Sequence, residues 1–177
     1  MRDIMNYKSS ETEIFMKKLG FGLMRLPLTD PKDNTSIDID RFAAMADTFL
    51  SSGFTYFDTA APYHGGMSEI AFRKAVSERY PRESYILTDK LSLFKIEKAE
   101  DIPPFFAKQF EDLGVEYLDY YLVHALGADR YEKAKEMGVF EFVREKRPRA
   151  RSAISASPST TLPRSLTASS QSSPKWR

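Results

Sequence analysis

Three successive segments of this chain end on an ionisable side chain. They are Phe54-Thr55-Tyr56-Phe57-Asp58, Ser84-Tyr85-Ile86-Leu87-Thr88-Asp89-Lys90 and Tyr117-Leu118-Asp119-Tyr120-Tyr121-Leu122-Val123-His124. A tyrosine, Tyr63, lies in the polar stretch just after the first of them. Each residue alone has a plainer reading: a strand-end Asp often caps a helix, a terminal Lys is usually solvated, and a lone His is more often structural than catalytic. Together they make a coherent set. A phenol titrates near pH ~10, so it gives up its proton reluctantly at neutral pH. A neighbouring ammonium stabilises the phenolate and eases that release. A carboxylate can hold the ammonium in place, and a neutral imidazole can orient a substrate oxygen. Such a set suits protonation of a carbonyl oxygen while hydride reaches its carbon. No side chain supplies a hydride, so a cofactor must.

The elements that would position these residues can be read from the pattern. Lys18 to Leu26 reads as a short, glycine-punctuated strand, and Pro27 to Asn34 as a loop. Ile39, Phe42, Met45, Ala46, Phe49 and Leu50 recur at helical spacing, with Gly53 as the stop. Phe54–Asp58 is aromatic and β-branched, which predicts a strand. The loop Thr59–Gly66 precedes a helix from about Ser68 to Arg79, ended by Pro81. Ser84–Lys90 is the third strand, and Pro103 and Pro104 open a helix that runs to about Leu113. Tyr117–His124 is the fourth strand. A helical pattern resumes near Tyr131, breaks at Gly138 and continues to Glu145.

The last three strands end at 58, 90 and 124, a spacing of 32 and then 34 residues. Successive βα units produce that spacing, so the expected fold class is α/β with a parallel sheet. In such architectures the active site gathers at the carboxyl ends of the strands. A fifth strand is due soon after Glu145, and none is found there.

Composition narrows the chemistry. A chain of 177 residues predicts one domain, and 42% hydrophobic with 29% charged residues can build a core. With no cysteine, disulfides, thiol nucleophiles and thiolate metal sites are excluded; with two histidines, so is a His-rich metal centre. No metal is expected. There is no run of 18 apolar residues and no charged-then-apolar leader pattern, so a cytoplasmic protein with no membrane partner is expected. The net charge of +1 hides a division: residues 1–145 carry 19 Lys/Arg against 25 Asp/Glu, a net of −6, while residues 146–177 carry 7 basic and 0 acidic residues, a net of +7. The second segment also holds 9 Ser and 4 Pro, with no Gly, Phe or Tyr. The expected organisation is a folded 1–145 and a disordered, Ser/Pro/Arg-rich 146–177.

The residues carrying the chemistry also carry a resemblance. Phe57-Asp58-Thr59-Ala60 with Tyr63 and Gly65-Gly66-Met67-Ser68-Glu69 resembles the aldo-keto reductase signature. So do Gly20 to Arg25, Thr88-Asp89-Lys90 and Asp119 to His124, all in order and at family spacing from about residue 18 to Glu145. The resemblance implies a (β/α)8 TIM barrel, here truncated to about four βα units. It implies an oxidoreductase using NADP or NAD to reduce aldehydes and ketones, with a small-molecule carbonyl substrate. Carried over by position, Tyr63 would be the proton donor, Lys90 and Asp58 its activating pair, and His124 the group that orients the carbonyl. The family's cofactor grip comes mainly from its fifth to eighth strands, so its main residues have no counterpart here, and this chain as it stands is expected to be inactive.

The tail has its own reading. Arg149 to Thr161 can be encoded so that the frame starting on the third base reads Gly-Lys-Ile-Arg-His-Ile-Gly-Phe-Ser-Phe-His-Asp. That string resembles the family's fifth strand and falls where the strand is due. Ser173 to Arg177 can conceal Pro-Glu-Val-Glu in the same frame. A frameshift near Lys146 accounts for both. The competing reading of the tail, a basic nucleic-acid-binding arm, has thinly spread charge and only Trp176 as an aromatic; for the whole chain the alternative is a non-catalytic fragment or interaction module with a basic tail, one that assembles into a two-half barrel. No nucleic-acid partner is expected.

Other features read more simply. Gly20-Phe21-Gly22 lacks the third glycine and the following acid of a dinucleotide fingerprint, so close packing is expected there. Arg25 and His64 are secondary candidates for touching substrate. The tyrosines at 117, 120 and 121 read as strand packing. The scattered Met24, Met45, Met67 and Met137 read as core filling.

Overall fold

A computed structural model describes residues 18–146. The expected tail therefore lies, from residue 147 onward, outside the described residues. Four strands, β1 (Gly20–Gly22), β2 (Tyr56–Asp58), β3 (Ile86–Leu91) and β4 (Tyr120–Val123), form one parallel sheet in sequence order. The helices are α1 (Ile39–Ser51), α2 (Ser68–Phe72), α3 (Ile102–Leu113), α4 (Ala128–Glu136) and α5 (Val139–Glu145).

The strand order and direction are as the spacing predicts, but the strands are shorter. β1 stops at Gly22 because Leu23–Arg25 winds into a 3-10 turn that buries Leu23. β4 starts at Tyr120, since the residues before it are held from the side. Arg82 donates to Tyr117 O at 3.0 and 3.1 Å and to the Asp119 carboxylate at 2.6 Å, and Asp119 also accepts from Leu87 N at 2.9 Å. The predicted loop at 27–34 is the near side of a small hairpin, in which Leu28 bridges Ile37 in antiparallel fashion.

Local chemistry sets the helix ends. The Asp38 side chain caps α1 by accepting from Arg41 N. Pro103 and Pro104 sit in the first turn of α3, where their missing N–H groups cost nothing, and Gly114 ends that helix at φ 64°. α2 runs into a π-turn over Arg73–Ser77, with Glu78 N donating to Arg73 O at 2.9 Å.

Alternation along the strands gives the sheet two distinct faces. Phe21, Phe57, Leu87, Asp89, Leu91 and Tyr121 face the helices. Phe57 is fully buried there, with ring centroids of Phe21, Phe49, Phe72 and Tyr85 at 5.2–6.2 Å. Gly20, Tyr56, Asp58, Thr88, Lys90 and Tyr120 fall on the other face. A Cβ on Gly20 would meet the Tyr56 ring at 2.9 Å, so this glycine lets two strands approach, in line with the packing role expected. Of the four methionines expected to fill the core, Met137 packs against it, whereas Met24, Met45 and Met67 are exposed. Among the described residues no helix is long and apolar enough to cross a membrane.

Phe57→Ala removes the ring around which four others pack. It should lower stability by about 3–5 kcal/mol, read from the shift of the urea midpoint at constant slope. A loss under about 1 kcal/mol would mean that the surrounding aromatics collapse into the gap.

Candidate active site

Asp58, Tyr63, Lys90 and His124 come together at the carboxyl ends of β2, β3 and β4. The register sets this up: Asp58 is opposite Thr88 and Lys90 is opposite Leu122, so Asp58 at the end of β2, Lys90 one residue short of the end of β3 and His124 just after β4 share one rim. Lys90 is the hub. Its Nζ donates to Asp58 Oδ1 at 2.7 Å, to Thr59 O at 2.7 Å and to the Tyr63 hydroxyl at 3.2 Å. The lysine side chain is 12% exposed and the Asp58 side chain 31%, so the pair is partly withdrawn from water and keeps an open flank.

Tyr63 is delivered by an unusual turn. His64, Gly65 and Gly66 all have positive φ, at 52°, 65° and 104°. The two glycines accept this freely. His64 does not, and it is fixed by using both ring nitrogens: Nε2 accepts from Leu26 N at 2.9 Å, and Nδ1 donates to Asn34 O at 2.8 Å. His64 is buried. This corrects the expectation that it touches substrate; it braces the turn against the hairpin. Arg25 is exposed on the 3-10 turn after β1.

His124 follows β4, with its N–H donating to Leu91 O at 3.0 Å. Its ring stands edge-on to Tyr63 at 5.6 Å and 87°, and edge-on to Phe94 at 5.6 Å and 89°. Its Nδ1 is 2.7 Å from Ser92 Oγ. Burial lowers the His124 pKa, Lys90 and Arg130 lower it further, and Asp58 opposes them. A depressed pKa keeps the imidazole neutral at neutral pH.

Directly behind Lys90, on the helix-facing side, lies a polar cluster that the sequence reading missed. Asp89, Glu69 and Gln109 are buried there with Tyr121. Gln109 Nε2 reaches Asp89 Oδ2 at 2.7 Å, Glu69 Oε1 at 3.0 Å and Lys90 O at 3.1 Å, and Tyr121 donates to Gln109 Oε1 at 2.5 Å. Asp89 Oδ1 accepts from Lys90 N at 2.8 Å. Burial raises the Asp89 pKa well above the usual carboxylate range, and the Glu69 charge beside it adds to the effect. Burial raises Glu69 as well. The signal in the sequence was the acid at 89, which falls between Leu87 and Leu91 in an otherwise apolar row.

With this geometry in place, the likeness to known proteins can be weighed. Residues 18–145 match the Aldo/keto reductase family. Aldo-keto reductase family 1 member A1 of Mus musculus is 39% identical over 79 residues, 42% of this chain and 24% of its own length. A probable aldo-keto reductase 1 of Glycine max is 32% identical over 120 residues, 62% of this chain and 33% of its own. Among solved structures, the holo form of an aldo-keto reductase from Bacillus halodurans superimposes with a TM-score of 0.54 at 26% identity, covering 72% of this chain and 42% of that one. The chain thus spans a quarter to a third of the length of these curated relatives. It belongs to the aldo/keto reductase family. Its four parallel βα units correspond to part of a (β/α)8 barrel.

Asp89 supplies the test of the buried cluster. Burial raises the Asp89 pKa in the fold above its unfolded value near pH ~4, so the stability this contributes at low pH is lost as pH climbs toward the folded pKa. Asp89→Asn has no proton to lose and keeps an acceptor for Lys90 N. Its urea midpoint, whatever its level, should vary less between about pH 5 and 8 than that of the native chain. Parallel curves would show that Asp89 is ionised in the fold.

Proposed function

We propose that this site carries the proton-transfer half of an NAD(P)H-dependent carbonyl reduction, aldehydes and ketones going to alcohols. The observation that carries the reading is the single ammonium of Lys90 shared between the Asp58 carboxylate and the Tyr63 hydroxyl, with the His124 ring beside the same phenol. Tyr63 gives its proton to the carbonyl oxygen, and Lys90 stabilises the phenolate left behind. Asp58 and Thr59 O hold the ammonium in position. His124, neutral, orients the substrate oxygen: with the Ser92 hydroxyl donating to Nδ1, Nε2 carries the hydrogen and faces the carbonyl.

The donor set fits a bound hydride carrier, because it handles a proton and offers no reductant of its own. A reduced nicotinamide dinucleotide supplies the hydride when bound. The residues that would grip its phosphates and adenosine are not among residues 18–146. For the 177-residue chain alone, NADPH titrated into purified protein should leave nucleotide fluorescence unchanged. Tight, saturable binding would overturn that division of labour.

The family match stops at the last acidic residue, Glu145, which supports a change of reading frame near Lys146. On this reading the protein acts in the cytoplasm as a full-length reductase. Sequencing the gene from the codon for Phe140 onward should reveal a single-base shift that opens four further βα units. In that restored protein, Tyr63→Phe should cost about 10²–10⁴-fold in kcat for aldehyde reduction. A confirmed frame with no such units downstream would leave reductase chemistry as ancestry only, and an unimpaired Tyr63→Phe would remove the tyrosine from the proton step.

A further inference from the structure

Beyond Tyr63 and His124 the rim continues into two segments that the proposed chemistry does not use. One is the loop after β3, which carries Phe94, 55% exposed. The other is α4, which carries Arg130 and Lys133. Lys133 Nζ donates to Ile96 O at 2.9 Å and to Leu93 O at 3.4 Å, so α4 ties down the loop on either side of Phe94. Arg130 then lays its guanidinium over the Phe94 ring, with Cζ 4.9 Å from the centroid. The far side of the system is His124, whose ring meets Phe94 at 5.6 Å.

Arg130 is also anchored from below. Its Nε donates at 2.7 Å to the carbonyl of Ala125, the residue immediately after His124. Ala125 has φ 47°, a left-handed conformation that an alanine rarely adopts. The arginine therefore holds the turn that follows His124, and is held by it. Its two terminal nitrogens have no hydrogen-bond or ion-pair partner among the described residues. The charges nearer the centre are matched: Lys90 is paired with Asp58, and His124 is neutral. Among the described residues Arg130 is thus a cation without an acidic partner, on the rim beside the group that would orient a carbonyl.

We propose that Arg130 is a specificity-determining residue that selects carbonyl substrates bearing a carboxylate. The flat guanidinium offers a fork of N–H donors that matches a carboxylate, and stacking on Phe94 fixes its plane in advance. Substrate carbonyl and carboxylate would then be held at two points, His124 with Tyr63 at one and Arg130 at the other. This inference rests on the carbonyl-site reading above, and the experiment separates the two.

The chain has two histidines, His64 buried in the turn and His124 at the rim, so their imidazole carbon–proton resonances are easily resolved. The 177-residue protein would be titrated at neutral pH with 4-oxopentanoate, its methyl ester and acetate, following His124, with His64 as the report that the fold is intact. Both carbonyl compounds should move His124, the keto acid with an affinity about tenfold above that of the ester, the effect of one charge-assisted contact. Acetate should bind more weakly than the keto acid. In Arg130→Gln the acid and ester should bind alike, and Arg130→Lys should restore part of the preference.

Ester and acid binding equally to the native chain would overturn the role of Arg130 while leaving the carbonyl site in place. So would a preference that survives Arg130→Gln with His64 unmoved. Acetate matching the keto acid would mean a general anion site and would overturn substrate selection. If no carbonyl compound moves His124, the carbonyl-site reading itself fails and this inference with it.

Discussion

The arrangement depends on finding three acceptors for one partly buried ammonium. Lys90 Nζ is largely withdrawn from water, and an ammonium has three hydrogens to place. Asp58 Oδ1, Thr59 O and the Tyr63 hydroxyl accept them, and all three lie within six residues of one another in the chain. β2 must therefore end at the level where β3 carries Lys90, and the chain after β2 must fold back over the ammonium. The register of Asp58 opposite Thr88 meets the first requirement. The positive-φ turn at His64–Gly66 meets the second, with His64 anchoring it from below. Only one of these acceptors is charged, so the phenol oxygen is drawn toward the cation by geometry as well as by charge.

β3 presents opposite chemistry on its two faces within a two-residue step. Lys90 points to the open face, and Asp89 points into the helix layer. A buried acid next to a lysine would ordinarily be expected to pair with it. Here alternation forbids that pairing for the side chains, and the contact runs through the Lys90 backbone: its N–H to Asp89 Oδ1 and its carbonyl to Gln109 Nε2. With Glu69 also in the cluster, two carboxyls meet donors that carry no charge, and holding a proton is the inexpensive solution. The main chain of the lysine is thereby gripped from behind by groups on α2, β3 and α3, with Tyr121 of β4 closing the cluster. The catalytic-side geometry and the core share these hydrogen bonds.

Much of this was legible in the sequence, for definite reasons. The 32- and 34-residue recurrence of strand ends reflects the length of one βα unit, and it is enough to put Asp58, Lys90 and His124 on one rim. Helices with strong apolar periodicity and clear caps, such as α1 and α3, were found close to their observed bounds. The failures share a cause. Asp89, Glu69 and Gln109 are polar residues on an apolar face, and their burial depends on finding one another across α2, β3 and α3. His64 looked free because it adjoins Tyr63, yet its ring is consumed by Leu26 and Asn34, each at least 30 residues away in sequence. Ser92 became relevant only through its contact with a histidine 32 residues on. Local pattern places a residue on its own element, but its partners come from helices and loops distant in sequence.

The hydrogen bonds of the proposed proton site all begin and end between residues 58 and 124. Nothing in that set reaches beyond β4, so this geometry can be complete while residues further along a barrel remain unspecified. A hydride site differs in kind. It must grip a large, charged dinucleotide over an extended surface, which one strand-end side chain per βα unit cannot do. The two halves of a carbonyl reduction therefore place unequal demands on the fold. Proton delivery as proposed can be built by three adjacent strand ends held in register, whereas carrier binding needs further loops around the rim. The family match to residue 145, the hydrogen-bonded Asp58–Lys90–Tyr63 set and the His124 ring beside it are consistent with that division.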